Sequence, residues 1–189
     1  MKKMIIVLTG VMILSGLVLA SASTMFGPMI EENRRQALAN SLAAIFGGAE
    51  NPSFEQLASE DPTVYRGTSE GGELLGYAVE LEATGYAGGI RMLVGLDARL
   101  SDVTGIEIVE QAETPGLGGR ISEESFQDRF SGLSASGEVQ LVKNRPADAS
   151  ENEVEAISGA TISSRAVVTG VNRAINVAPE VIEEQANGR

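Results

Sequence analysis

No cysteine, histidine or tryptophan occurs anywhere in the 189 residues. Without cysteine or histidine, zinc sites of the usual Cys/His type are excluded. Cysteine-ligated iron–sulfur clusters and covalently attached c-type haem are excluded with them. A Ser-His-Asp triad cannot be assembled, and there is no cysteine to carry a lipid anchor. The lack of cysteine suits either side of a membrane, so the redox compartment stays open. Positive charge is also scarce: 14 Lys and Arg stand against 26 Asp and Glu, for a formal net charge of −12 and a pI of about 4.5. A chain this acidic is a poor match for nucleic acid, whose phosphates select basic patches. It also lacks the Lys/Arg-rich helix of a peripheral membrane binder.

What the sequence does have begins with an uncharged run, Met4 to Ala22, MIIVLTGVMILSGLVLASA. At about 1.5 Å rise per residue it approaches the roughly 20 residues that span a bilayer core. Lys2 and Lys3 precede it, and Glu31 and Glu32 follow before any further basic residue. The positive-inside rule then places the amino terminus in the cytoplasm and the remainder outside. Ala20-Ser21-Ala22 also resembles the cleavage site of a signal peptide. The apolar run exceeds a usual signal core, which favours a retained anchor; on either reading the soluble part is exported.

After the anchor, EENRRQALANSLAAIFGG carries Ala37, Leu38, Leu42 and Ile45 at helical spacing, with Gly47-Gly48 as the stop. Residues 50–63, with Pro52 and Pro62, read as an irregular link. In LLGYAVEL, Leu75, Tyr77, Val79 and Leu81 share a strand face. In IRMLVGLD, Ile90, Met92, Val94 and Leu96 do the same, and Gly85, Gly88 and Gly89 mark the hairpin turn between the two. VTGIEIVEQ makes a third strand with Ile106 and Ile108 on one side, so the run predicts an antiparallel sheet. ISEESFQDRFSGL predicts a short helix capped by Ser122, and Val139–Val142 a further strand. The last helix should bury Val167, Val171, Ala174 and Ala178, with Arg165, Thr169, Asn172 and Asn176 on another face. Pro179 should weaken or kink it. The order of elements gives an α+β class, not a βαβ alternation.

Two loops of small residues stand out. In ETPGLGGR, Glu113 to Arg120, Pro115 pre-sets one turn dihedral, while Gly116, Gly118 and Gly119 permit positive φ and leave backbone N–H groups uncovered. Such a loop can approach a flat ligand or cradle an anion; it can equally be a wide strand-to-helix turn. It is not a dinucleotide fingerprint, because the glycine spacing fails and no βαβ unit surrounds it. In SGATISSRAVV, Ser158, Thr161, Ser163 or Ser164 could each cap the final helix. A cap needs one hydroxyl only, and Gly159 and Ala160 remove bulk from around that of Thr161. The helix amino terminus behind it offers free N–H groups and a positive dipole end. A phosphate esterified there gains typically about 0.3–1 kcal/mol at an exposed site.

With its anchor, GYAGGIRMLVGLD, ETPGLGGRI and EAISGATISSRAVV, the chain resembles the G subunit of the Rnf-type ion-translocating electron transport complex. Through the same FMN-binding domain it is similar to the C subunit of the sodium-pumping NADH:quinone oxidoreductase. The resemblance implies an amino-terminal transmembrane helix (1–30 with its flank), a helix and linker (31–63) and an extracytoplasmic FMN-binding domain (64–189) with a mainly antiparallel sheet and flanking helices. It implies FMN joined by a phosphoester to Thr161, the last residue of Ser158-Gly159-Ala160-Thr161, installed from FAD by a flavin transferase with the help of magnesium. It places Glu113, Thr114, Gly116, Leu117 and Gly118 near the flavin. The transferase-recognised motif usually has aspartate three residues before the serine; here Glu155 keeps the charge with one more methylene.

The function implied is an electron relay, with no metal site and no catalytic residues of its own. It would be the redox subunit of a translocase that couples electron transfer between ferredoxin and NAD to ion movement. The partners implied are the other subunits of that complex, in the inner membrane, with the soluble domain on the periplasmic side. A flavin brings its own chemistry and asks only position and electrostatics of the protein, which suits a chain unable to ligate haem or clusters by the usual routes. Two other readings stay open: an FMN-domain donor to a different extracytoplasmic reductase, and an unmodified membrane-tethered interaction domain in which SGAT only caps its helix.

Overall fold

The computed structural model describes residues 2–46, 52–58 and 61–187. The chain divides into two compact units, Met1–Ala39 and Asn40–Arg189. The first is helical, and its stretch Lys2–Phe26 is long and apolar enough to cross a membrane by length and composition. Its large side chains, among them Ile5, Leu8, Met12 and Leu19, are exposed. The helix expected separately over EENRRQALANSLAAI belongs to the same element, α1 (Lys2–Ile45). Leu42 and Ile45 of the expected apolar set are buried and Ala37 is exposed. The Gly47-Gly48 stop lies outside the described residues.

In the second unit the alternating runs form strands as read, and the sheet is larger than three. Strands β1 (Ser53–Gln56), β2 (Thr63–Thr68), β3 (Leu74–Thr84), β4 (Gly89–Asp97) and β5 (Val103–Gln111) make one antiparallel sheet in sequence order. The described part of the segment expected as an irregular link thus includes β1 and the first residue of β2. These strands escape a periodicity reading for a physical reason. β1 is mostly exposed, Gly67 interrupts β2, and both exist through ladder pairing, β1 with β2 and β2 with β3, instead of local apolar alternation. Tyr77, Val79 and Leu81 of β3 and Ile90, Met92, Val94 and Leu96 of β4 are buried together on the core face, as are Ile106 and Ile108 of β5. The hairpin turn falls at 85–88 as expected, closed by Gly85 N–H to the Gly88 carbonyl at 2.8 Å.

Part of the other sheet face is covered by Ile45, the last residue of α1, and by Phe46. Gly67, Gly76 and Gly95 leave a bare strip where Ile45 and Phe46 seat; a Cβ on Gly67 would lie 2.9 Å from the Phe46 ring, and one on Gly95 would collide with Ile45. The open edge at β5 is covered by residues 127–133. Gln127 Oε1 accepts the Ile108 N–H at 3.2 Å, and backbone bonds of 2.8 Å join Val103 to Gly132 and to Leu133. The expected helix here is broken into a 3₁₀ turn (Gly118–Ser122), α2 (Glu124–Gln127) and a second 3₁₀ turn (Asp128–Phe130). Ser122 is not its cap: Glu123 holds that position without a side-chain bond, and the Ser122 carbonyl is taken by Gln127 Nε2 at 3.0 Å. Burial of Phe126 and Phe130 in the core fixes this segment, not its capping.

Strand β6 (Gln140–Val142) pairs in parallel with β7 (Glu153–Glu155), a strand too short to show a period. The final helix, α3 (Thr161–Asn187), buries Val167, Val171, Ala174 and Ala178 as predicted. Gly170 lets it approach the sheet, since a Cβ there would lie 2.8 Å from Met92 Sδ. The helix continues past Pro179 to Asn187. Val181 and Ile182 pack on the core, and Gln185 Nε2 reaches the Leu57 carbonyl at 2.7 Å. Together these offset the roughly 3 kcal/mol that an interior proline costs.

Candidate functional site

Three segments distant in sequence meet at the amino end of α3: the 85–88 turn, the ETPGLGG loop and the SGAT turn. Glu113 joins them. Its side chain is 6% exposed. Oε1 accepts the N–H groups of Tyr86 at 2.7 Å and Ala87 at 2.9 Å, and Oε2 accepts the Ser163 hydroxyl at 2.8 Å. Burial pushes this carboxyl's pKa up. The Ala87 N–H, the Ser163 hydroxyl and the Tyr86 and Gly88 N–H groups outweigh that and hold it below the usual carboxylate range. Glu113 is therefore an ionised clamp whose charge is engaged by the protein itself. Two glycines make room for it: a Cβ on Gly85 would collide with Oε1, and one on Gly118 with Oε2 and, at 2.6 Å, with Ser163 Oγ.

The loop after Glu113 folds on itself. The Thr114 carbonyl accepts Leu117 N–H at 3.1 Å and Gly119 N–H at 3.0 Å, with Gly116 at φ +75° making the turn. This leaves Leu117 projecting, 3.4 Å from where a Cβ of Gly159 would stand. Gly159 takes φ +81°, a conformation that favours glycine. Among the described residues none of the four hydroxyls accepts a first-turn N–H of α3; Ser164 instead ties the preceding turn to the helix. Its hydroxyl accepts Ile157 N–H at 3.1 Å and donates to the Ala160 carbonyl at 3.0 Å. Ser163 is committed to Glu113. Thr161 is the first helical residue, half-buried, and among the described residues its hydroxyl has no hydrogen-bond partner. The first turn of α3 carries no acidic residue, and its leading N–H groups have no partner within the helix.

Around that hydroxyl lies a cleft of about 470 Å³. Of the residues singled out in the sequence, Glu113, Thr114, Leu117, Gly118, Gly159, Ala160 and Thr161 line it; Ser158 and Gly116 do not. Sequence reasoning missed Tyr86, Ile162 and Ser163, which line it too. Tyr86, Leu117 and Ile162 are 71%, 50% and 55% exposed. They are the exposed large apolar side chains of the second unit among the described residues, and all three ring one cleft. The signal for Tyr86 was available as an aromatic residue in a glycine turn that has no core to fill. Glu155, the departure from the usual aspartate, lies in β7, where its carbonyl accepts Arg129 Nη1 at 2.7 Å.

An unbonded alcohol at a helix amino terminus, a flanking glycine and an apolar rim fit a flat cofactor held by its phosphate. Residues 85–176 match the model of the FMN-binding domain family. More particularly, the chain is similar to the G subunits of ion-translocating oxidoreductase complexes. It is 45% identical over 115 residues to the G subunit of the Na⁺-translocating ferredoxin:NAD⁺ oxidoreductase complex of Acetobacterium woodii, covering 60% of this chain and 54% of that protein. It is 38% identical over 112 residues to the G subunit of the ion-translocating oxidoreductase complex of Methanosarcina acetivorans, covering 59% and 56%. With the G subunit of the proton-translocating ferredoxin:NAD⁺ oxidoreductase complex of Clostridium ljungdahlii it shares 28% over 164 residues, covering 86% and 83%. The chain thus spans little more than half the length of the first two. The fold is that of NqrC from Shewanella oneidensis (TM-score 0.55, 22% identity, 60% of this chain and 55% of that one). It is also that of the C subunit of the Na⁺-translocating NADH-quinone reductase from Parabacteroides distasonis (TM-score 0.55, 23% identity, 70% and 77%).

Proposed function

We propose that this chain is a covalently flavinylated electron-relay subunit of a membrane-bound Rnf-type complex, with FMN esterified to Thr161. The observation that carries this is the unbonded Thr161 hydroxyl opening on the apolar-rimmed cleft. Attachment forms an Oγ1–P bond and breaks the pyrophosphate of FAD; AMP leaves and the hydroxyl proton passes to the transferase or to water. Bound FMN supplies reversible electron transfer. The chain's own residues do the rest. Gly159 and Ala160 leave the hydroxyl open to a transferase. The first-turn amides of α3 meet the phosphoryl charge. Tyr86, Leu117 and Ile162 give the flat ring an apolar seat. Glu113 keeps these pieces in register without touching the reacting atoms.

By the positive-inside argument, the domain lies on the extracytoplasmic side, tethered by Lys2–Phe26. Its partners on this reading are the flavin transferase and the other subunits of a complex passing electrons between ferredoxin and NAD, as the names of its relatives state for them. Sodium or proton is the ion moved. The alternative, an unmodified domain with SGAT as a cap, is disfavoured because Ser164, not Thr161, ties the turn before α3.

The test is intact mass after co-expression with an active flavin transferase. The expected gain equals FMN less one water, with a yellow band fluorescing in a denaturing gel, both abolished in Thr161→Ala. Wild-type protein without that gain refutes the proposal.

A further inference from the structure

The partners of the arginines can be traced among the described residues. Arg66, Arg91, Arg120, Arg145 and Arg173 each pair with a carboxylate. Arg129 bonds two backbone carbonyls. Among the described residues the side chains of Arg99 and Arg165 make no ion pair or hydrogen bond. Arg99 sits in the exposed turn after β4 and lines none of the clefts near Thr161. Arg165 lies in the second turn of α3. Glu82 lines the same groove as Arg165, yet no salt bridge joins the two. In a chain with 26 acidic residues, an arginine left exposed and unpaired beside the site is in want of an anion.

Helix geometry says where that anion would be. Arg165 is four residues after Thr161 and three after Ile162. At about 100° per residue its base lies between theirs, roughly 40° from the first and 60° from the second. Residues four apart have Cβ atoms about 5–6 Å from each other, and helical side chains lean toward the amino terminus. Arg165 lines the neighbouring groove, and from there its guanidinium is within reach of the first turn. Ile162 lines both the cleft and a neighbouring groove of about 360 Å³, bounded by Leu81, Thr84, Arg165 and Arg173, and so separates them.

We propose that Arg165 is the counter-ion of the phosphoryl group on Thr161 and, by holding it from the groove side, turns the remainder of the cofactor into the cleft of Tyr86 and Leu117. Two non-bridging phosphodiester oxygens match the planar fork of a guanidinium better than a lysine ammonium. Arg165 is a positioning residue: it touches the linkage and not the redox-active ring. The inference rests on FMN attachment at Thr161.

The test uses the full-length chain co-expressed with a flavin transferase, as wild type, Arg165→Lys and Arg165→Leu. Intact mass gives the labelled fraction, ³¹P NMR the phosphodiester resonance, and flavin fluorescence anisotropy the freedom of the ring. In Arg165→Leu the resonance should move and lose its dependence on added salt, and the anisotropy should fall. The population seated in the cleft should drop about two- to five-fold, the range of an exposed ion pair, with the lysine variant in between. Labelled Arg165→Leu matching wild type in resonance and anisotropy overturns the role of Arg165 alone. An unlabelled wild type overturns the Thr161 reading as well. If both variants fail to take up label while wild type does, the arginine serves transferase recognition and the counter-ion role is wrong.

Discussion

Removing the Glu113 carboxylate should loosen the site before it unfolds the domain, and the bonds allow a magnitude. Three charge-assisted hydrogen bonds end on this side chain, from Tyr86 N–H, Ala87 N–H and Ser163 Oγ–H. Hydrogen bonds to a charged group contribute about 1.5–3 kcal/mol each, and neutral ones about 0.5–1.5. In Glu113→Gln the amide oxygen can keep the two backbone donors, and the Ser163 hydroxyl can rotate to accept from the amide nitrogen. Only the charge is lost, for about 1–2 kcal/mol. Glu113→Ala strands three buried donors, and about 3–5 kcal/mol is expected.

The assay is amide hydrogen exchange on the full-length protein, read at the 85–88 turn. At about 1.4 kcal/mol per decade the glutamine variant should speed exchange of the Tyr86 and Ala87 amides about ten-fold, and the alanine variant at least about a hundred-fold. The amides of β4 should change far less. Acid should reproduce the effect. The folded pKa lies below the unfolded one, so the clamp's contribution is full above the ordinary glutamate value of about 4.3. It is lost as pH falls through the lowered folded value. Unchanged exchange at Tyr86 and Ala87 in Glu113→Ala would refute the clamp.

Gly118→Ala places a methyl group against Glu113 Oε2 and Ser163 Oγ. It should cost about 1–3 kcal/mol in thermal unfolding and lower the labelled fraction by mass. Asn172 grips both backbone atoms of Val139, at 2.8 and 2.9 Å. Asn172→Leu should destabilise by about 1–3 kcal/mol in a denaturant titration, with the labelled fraction unchanged in what remains folded. Leu117→Ser removes part of the apolar rim and leaves Thr161 intact. Flavin should still attach by mass, while its ring becomes more open to iodide quenching of fluorescence.

How far the sequence alone could be read follows from the range of each signal. Tyr77, Val79 and Leu81, or Val167, Val171 and Ala174, declare their faces because burial on a strand or helix recurs at a fixed local period. Strands β1, β2 and β7 carry no such period. They are strands because a neighbour supplies the partner, β2 for β1, β3 for β2 and β6 for β7, and that choice is made through space. Pro179 predicted a weakness that packing of Val181 and Ile182 overrides. The site divides in the same way. Thr161 with its small neighbours was legible, since absence of bulk is written in the residues themselves. Tyr86, an aromatic in a turn, gave a weak signal. Ser163 was one candidate cap among four, and only its bond to Glu113 settles what it does.

The sequence by itself excluded redox centres ligated by cysteine or histidine, and it set Thr161 among small residues at a helix start. Tertiary structure alone decided that Glu113 is a buried clamp in the wall of the cleft, and that Tyr86, Leu117 and Ile162 face that same cleft. The reason is the same for both. A carboxylate's role depends on which donors surround it, and a surface's shape on which loops meet. Here residues 86, 113 and 163 come together only when the hairpin turn, the glycine loop and the last helix pack against the same sheet.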